Sequence, residues 1–222
     1  MKKQLLFGLA GLLLLAGCGT SNEKYISEGV IEYDAAVLDQ SNPMATLAPN
    51  KMFIRFKNSK SCAEMSAGMG FFSTSFISNP ETKTLTQLVK LLNKKFYLIQ
   101  NEADLKKENE SYPVEITPTN EIKIIAGYNC IKAHVKVNDE NASEFDIFYT
   151  KELNIQNPNF ANPYYMIDGV LMEYQMKKFG LEMKFTLKSV KKETVDDTNF
   201  DLPTDYKKIS QSEMNDLFEA LQ

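Results

Sequence analysis

The feature of this chain that most restricts its fold is an apolar alternation with a period of two residues. From 31 to 37 every odd position is apolar, and from 52 to 56 every even position is apolar. Successive side chains of a β-strand point to opposite faces, so this alternation is typical of a strand with one buried face. Both segments are therefore predicted to be strands of a half-buried sheet.

Most of the chain repeats this pattern. Residues 61–78 are predicted to form two strands with a turn near Gly68–Gly70, and 96–99 a short strand. Residues 81–92 are ambiguous, because their leucines fit helical spacing while their threonines favour a strand. Residues 101–109 are charged and predict a loop or a short helix. Further predicted strands cover 114–116, 121–125, 130–137, 144–149, 170–176 and 181–190.

The end of the chain has a different period. Ser210 and Glu213 have the spacing of a capping box, and Met214, Leu217, Phe218 and Leu221 follow at helical spacing. We expect a mainly β fold with a few helices. About ten twisted strands favour a curved antiparallel sheet that forms a half-open barrel, with the C-terminal amphipathic helix against it.

The first eighteen residues predict a lipoprotein leader. Two lysines precede an apolar run of about a dozen residues, which is short for a membrane span and typical of a secretory signal. Ala16 and Gly17 before Cys18 match the bacterial lipobox, in which the cysteine is lipidated and becomes the first residue. We therefore divide the chain into a signal peptide (1–17), a lipid-anchored tether (18–24) and a single β domain (25–222).

The composition limits the partners. Loss of Lys2 and Lys3 with the leader takes the net charge from −4 to −6, which argues against nucleic acid. The expected membrane partner is reached through acyl chains on Cys18. Position 19 is Gly, not the Asp that commonly retains lipoproteins at the inner membrane, which favours the outer membrane. The Ser-Asn-Glu tether, with its one acidic residue, favours the side that faces the periplasm. We expect a monomer.

No pattern predicts catalysis. The single histidine, His134, shares a strand face with lysines and is expected to face solvent. The chain has no Gly-x-Ser-x-Gly elbow, no phosphate-binding glycine loop and no zinc-like ligand spacing. We therefore expect no enzymatic activity, no cofactor and no metal.

Two cysteines remain after the leader, Cys62 and Cys130, and they fall in separate predicted strands. In an oxidising envelope they either form a disulfide or stay as two buried thiols. Spacing alone does not decide between these, since it does not show how far apart the two Cα atoms lie.

Aromatic and methionine side chains offer another site. Methionine adapts to irregular apolar ligands, and the alternative role for such residues is ordinary core packing. The residues expected to line an apolar pocket are Phe71, Phe72, Phe76, Tyr165, Met172, Tyr174 and Met176. An exposed apolar loop is not identifiable from the sequence; Phe71 and Phe72 are the candidates, and burial is the expectation for both.

Four segments carry a resemblance to a known family. They are 125–133 (IAGYNCIKA), 148–153 (FYTKEL), 167–174 (IDGVLMEY) and 200–206 (FDLPTDY). They resemble the DUF4412-type family of envelope proteins, which is similar in architecture to the carriers and receptors of outer-membrane lipoprotein sorting. The resemblance implies a half-barrel that holds acyl chains, and it implies no catalytic residues. The carriers are soluble, so a chain anchored at Cys18 would be closer to a receptor or a stationary lipid-binding module.

Two functions follow as expectations. The first is a non-catalytic, lipid-anchored envelope protein that binds an acyl chain, a lipid or a lipidated protein in a curved sheet. The second is an interaction or structural module of the envelope with a filled core and no small ligand. A cavity lined by carbon would separate the first from the second.

Overall fold

The structure is a computed structural model, and it describes residues 26–42, 45–46, 48–138, 142–178 and 180–220. The predicted signal peptide, Cys18 and the tether lie outside the described residues, as do Leu221 and residues 139–141. Among the described residues no helix has both the length and the apolarity needed to cross a membrane.

The chain folds as two consecutive β-meanders that share one sheet. The first contains β1 (Glu28–Val37), β2 (Lys51–Lys57), β3 (Lys60–Ala67), β4 (Phe72–Asn79), β5 (Thr84–Leu91) and β6 (Lys94–Gln100). The second contains β7 (Val114–Ile125), β8 (Tyr128–Val137), β9 (Glu144–Thr150), β10 (Val170–Lys178) and β11 (Leu181–Lys191).

Pairing of β1 with β11 joins the two meanders. A two-residue strand, β12 (Lys207–Lys208), completes the sheet, whose order is β12-β6-β5-β4-β3-β2-β1-β11-β10-β9-β8-β7. The β12–β6 pair is parallel and the other described pairs are antiparallel. The predicted curved, open sheet is therefore confirmed, and β7 and β12 form its two edges.

The described residues contain two α-helices beside the sheet: α1 (Glu102–Glu110) follows β6, and α2 (Gln211–Glu219) lies near the C-terminal end. The predicted capping box of α2 is confirmed, since the Ser210 hydroxyl accepts from the Glu213 amide and the Glu213 carboxylate accepts from the Ser210 amide. Asn101 and Asp104 form the same arrangement at α1, which decides between the helix and the loop expected there.

The structure resolves one ambiguous segment and corrects a second prediction. Residues 84–91 form strand β5, because pairing with both β4 and β6 buries Leu85, Leu88 and Val89 on two faces of the sheet. The two segments predicted at 114–116 and 121–125 are one strand, β7, interrupted by a bulge between Pro118 and Ile122.

The C-terminal segment uses both faces of the sheet. A short 3-10 helix, Asp197–Phe200, and Tyr206 pack over Cys62, Ile77 and Leu88 on the outer face. After β12, helix α2 buries Met214 and Phe218 against Val89 and Leu98 on the inner face. The main core is formed by buried residues of β1, of β2 and of the second meander, together with the β9–β10 connection.

Candidate apolar binding site

A cavity of about 340 Å³ lies on the inner face of the sheet. This volume is at the lower end of the range of small-molecule sites, about 300–1,000 Å³. The lining is predominantly apolar. It comes from β2 to β5, from β10 and β11, from α2 and from the β9–β10 connection. The lining includes Met52, Ile54, Ala63, Met65, Phe72, Phe76, Leu85, Pro158, Ala161, Tyr174, Met176, Leu181, Met183, Phe185 and Phe218.

Small side chains on the floor leave room for the cavity. On β3 the inward positions are Ser61, Ala63, Met65 and Ala67, and Ser78 on β4 lies opposite Ser61. Hydroxymethyl and methyl groups at these positions do not reach the opposite wall. Met65 is the one long side chain among the inward positions of β3, and its flexibility lets it adapt to the groups that it contacts in the cavity.

A cluster of aromatic rings forms the wall on the β10–β11 side. Tyr174 stacks on Phe185 with ring centroids 5.1 Å apart, and it meets Tyr33 and Tyr164 edge to face at 6.0 and 6.1 Å. The hydroxyl of Tyr33 donates to the carbonyl oxygen of Leu171 at 2.7 Å, and that of Tyr164 donates to Gln175. These bonds satisfy the buried hydroxyls of Tyr33 and Tyr164 and hold both rings in place against Tyr174.

Helix α2 forms the opposite wall. Phe218 lines the cavity and meets Phe72 edge to face, with ring centroids 6.2 Å apart. The connection between β9 and β10 completes the enclosure through Pro158 and Ala161. It is held by the buried Asn159, whose amide nitrogen donates to the carbonyl oxygens of Ile167 and Gly169 at 2.9 and 2.8 Å.

The turn between β3 and β4 places exposed apolar groups beside the cavity. Gly68, Met69 and Gly70 have positive φ angles of 58°, 53° and 88°, which turn the Met69 side chain fully into solvent. Phe71 lines the cavity and is nevertheless 59% exposed. Leu92, also exposed, donates its amide to the Phe71 carbonyl at 2.7 Å. The expected burial of Phe71 is therefore wrong, because the glycine-flanked turn carries it to the rim.

Five of the seven residues predicted to line a pocket do so: Phe71, Phe72, Phe76, Tyr174 and Met176. Met172 and Tyr165 do not. Met172 is fully buried in the main core, near the start of β10, where the register with β9 shifts between Leu171 and Glu173. Tyr165 lies in the β9–β10 connection and points outward, 59% exposed. Neither side chain is therefore part of the cavity lining.

Several lining residues were not predicted. Met52 and Ile54 stand on the apolar face of β2, and Met183 and Phe185 on that of β11. The alternation that predicted these strands also marked the apolar face, but it does not distinguish cavity wall from filled core. Nothing in the sequence marked Ala63 and Ser61 as cavity-lining residues, since small residues on a strand face are common.

The cavity contains little that could carry acid–base or nucleophilic chemistry. Among the described lining residues the only ionisable side chain is Tyr174, and burial raises its pKa. The described part of the chain also contains no cluster of three His, Cys, Asp or Glu side chains able to hold a metal ion. His134 lies on the exposed outer surface, 3.2 Å from Asp146 and 3.5 Å from Glu144.

The disulfide alternative for Cys62 and Cys130 is wrong, because both cysteines are free. Cys62 lies on β3 in the outer cluster, whereas Cys130 lies on β8 in the main core. Six strand-to-strand steps of the sheet separate β3 from β8. Two thiols so placed do not meet the short Cα–Cα distance that a disulfide requires.

We expect both buried thiols to resist alkylation in the folded protein. Burial raises the pKa of Cys62 and of Cys130 to about 11, so the reactive thiolate is scarce at pH 8, where an ordinary thiol with a pKa of about 8.5 is substantially ionised. Iodoacetamide at pH 8, followed by intact-mass measurement, should label neither residue until urea is added. If either thiol stays unlabelled in urea without a reductant, the result contradicts the assignment of Cys62 and Cys130 as free thiols.

Comparison with known proteins adds a fold likeness. No protein-family model matches the chain, and no curated protein matches it. Membership of the DUF4412-type family therefore stays a prediction. The structure of PNGF-II in a C2 crystal form is similar over 86% of this chain, with a TM-score of 0.55 and 19% sequence identity. The matched part is 32% of the PNGF-II chain, and the likeness shows the fold alone.

A second solved structure, LprF from Mycobacterium bovis, aligns with 76% of this chain and with 88% of its own. The sequence identity is 12% and the TM-score is 0.31, which is too low to support an argument from the shared shape.

Proposed function

We propose that this chain is a non-catalytic, lipid-anchored bacterial envelope protein that binds an apolar ligand on the inner face of its sheet. The ligand class is an acyl chain, a lipid or the lipidated end of another protein. The observation that carries this proposal is the carbon-lined cavity of about 340 Å³ between the aromatic wall and α2. A filled core, which the alternative function requires, would leave no such volume.

Apolar burial supplies the binding energy in this proposal. Each methylene moved from water into a carbon-lined site contributes about 0.8 kcal/mol. The lining offers methionine and aromatic side chains but no charged group among the described residues, so it suits a hydrocarbon chain better than a polar metabolite. The same lack of charge supports a binding role over catalysis, because general acid–base chemistry needs titratable groups at the site.

The exposed apolar side chains at the rim of the cavity support exchange of the ligand with a membrane or with another lipid-binding protein. Met69, Phe71 and Leu92 are exposed next to the cavity, and Phe71 belongs to both the rim and the lining. An apolar chain that enters past these side chains keeps carbon contacts along its path, which lowers the cost of crossing water.

Anchoring and location rest on the sequence. The lipobox before Cys18 supports attachment through acyl chains, and Gly19 supports the outer membrane. The Ser-Asn-Glu tether supports a domain that faces the periplasm. A curved, open sheet with a helix on its inner face is the architecture that the resemblance to the lipoprotein carriers and receptors implies. Because the anchor fixes the chain to a membrane, we assign it the role of a receptor or stationary binding module.

The experiment that tests the proposal is native mass spectrometry of residues 19–222, purified without the Cys18 anchor, with lipid extraction from the same sample. We expect a stoichiometric lipid or fatty acid that a second amphiphile displaces, because the cavity binds by burial of carbon. As control, the stripped protein is reloaded with palmitate. A protein that carries no lipid and takes up no palmitate would refute lipid binding and favour docking of a protein partner.

A further inference from the structure

The edge strand β7 carries an apolar pair that the rest of the described chain does not cover. Ile122 is 67% exposed and Ile124 is 71% exposed, although both belong to a regular strand. On one side β7 pairs with β8, and no strand of the described residues lies on its other side. An edge strand with exposed large apolar residues is a site for pairing with another chain.

The hairpin that follows β7 fixes which backbone groups face outward. Ala126 and Gly127 form a two-residue turn with φ angles of 48° and 86°, which makes Ile125 and Tyr128 a hydrogen-bonded pair. Because bonding direction alternates along an antiparallel strand, Lys123 and Ile125 bond towards β8. The amides and carbonyls of Ile122 and Ile124 therefore point away from the sheet.

The sequence around Ile122 is complementary to itself. If a second copy pairs antiparallel with Ile122 opposite its own counterpart, the outward backbone groups of Ile122 meet those of the second Ile122. Glu121 then stands opposite Lys123 of the second copy, and Lys123 opposite its Glu121. These two charge pairs occupy non-hydrogen-bonded positions, where side chains of paired strands approach within about 4.5–5.5 Å.

Existing ion pairs extend this arrangement. Within one chain Glu121 lies 3.3 Å from Lys132, and Lys123 lies 2.8 Å from Glu173. Glu121 and Lys123 share the outer face of β7 with these partners. A second copy would therefore continue a row of alternating charges across the dimer interface. On the other face of the sheet it would bring Ile122 of one copy into contact with Ile122 of the other.

The strand also limits how far pairing extends. Pro118 has no amide hydrogen, and the bulge after it bends β7. In the bulge the Thr119 hydroxyl donates to the Lys132 carbonyl and accepts from the Glu121 amide. Regular pairing is thus confined to residues 120–124, which predicts a weak, specific dimer rather than an open-ended assembly.

We propose that β7 is the interface of an antiparallel homodimer, centred on Ile122, in which the two sheets continue into each other. The sequence alone led us to expect a monomer. The exposure of the edge strand and the outward direction of its backbone groups become visible only in the folded structure. The proposal is independent of what the cavity binds.

The test uses the full chain, expressed in cells with two different affinity tags. The wild-type pair should co-purify. E121K places lysine opposite Lys123 of the second copy, and K123E places glutamate opposite its Glu121, so each variant expressed in both tagged forms should lose co-purification by about tenfold or more. Co-expression of E121K with K123E restores both opposite-charge pairs, and we expect recovery to the wild-type level.

The control is E115K, which makes the same charge change at an exposed position of β7 outside the paired segment. We expect it to co-purify as the wild type does. Three results would overturn the proposal: wild-type chains that do not co-purify, single variants that co-purify normally, or a mixed pair that is not rescued. The last would indicate that β7 docks a different protein or uses another register.

Discussion

Replacement of Ala63 by tryptophan should abolish palmitate binding while leaving the protein folded. Ala63 faces the cavity from β3, with Ile54 and Phe76 opposite it on the neighbouring strands. An indole at this position projects into the space that a ligand chain would fill. Exclusion of only four methylenes removes about 3 kcal/mol, which corresponds to an affinity loss of more than about 100-fold. Equilibrium dialysis with radiolabelled palmitate measures this directly.

The stability of A63W is part of the prediction. Added volume destabilises a packed core by about 1–3 kcal/mol, but at this position the new side chain enters an existing cavity. The urea midpoint should therefore stay near that of the wild type. The chain contains no other tryptophan, so a blue-shifted emission would report that the indole is buried in the cavity.

The matched control is A36W, which places the same indole at an exposed position on the outer face of β1. It should bind palmitate as the wild type does and emit at a longer wavelength. If A63W binds palmitate normally with its indole buried, the ligand lies elsewhere and this cavity has no part in binding. Equal loss of affinity in both variants would point to a general effect of tryptophan.

Local patterns predicted the sheet because alternation and strand burial have the same physical cause. In β1 the odd positions from Ile31 to Val37 are the buried ones, as the period of two required. The capping box of α2 was equally local, since it involves residues three apart. Residues 84–91 were ambiguous because both faces of β5 are covered, so the alternation that marks a half-buried strand is weakened.

Local sequence patterns could not predict features that depend on contacts between residues far apart in the chain. The separation of Cys62 from Cys130 depends on the β1–β11 junction, which pairs strands about 150 residues apart in the chain. The cavity depends on the simultaneous placement of small residues such as Ala63 and of α2. Tyr165 and Met172 have the same chemical character as Tyr174, and only the path of the backbone separates exposed, core and lining positions.

The β1–β11 junction is where a single methyl group should have the largest effect on stability. Gly29 is buried in β1, and a Cβ atom built on it would lie 2.2 Å from the carbonyl oxygen of Lys191 in β11. That neighbour is backbone, so it has no side-chain torsion with which to move aside. We expect G29A to lower the free energy of unfolding by about 3 kcal/mol, seen as a drop of about 1 M in the urea midpoint.

The control for this prediction is G70A, the same substitution in the turn before Phe71. A Cβ atom at Gly70 would meet nothing within 4 Å, and its φ of +88° imposes only the cost of a left-handed backbone, about 1–2 kcal/mol. G29A should also weaken palmitate binding, because the strands of the cavity floor and those of the aromatic wall meet through β1 and β11. A G29A protein as stable as G70A would show that the junction relaxes easily, and the two meanders would then not be rigidly coupled there.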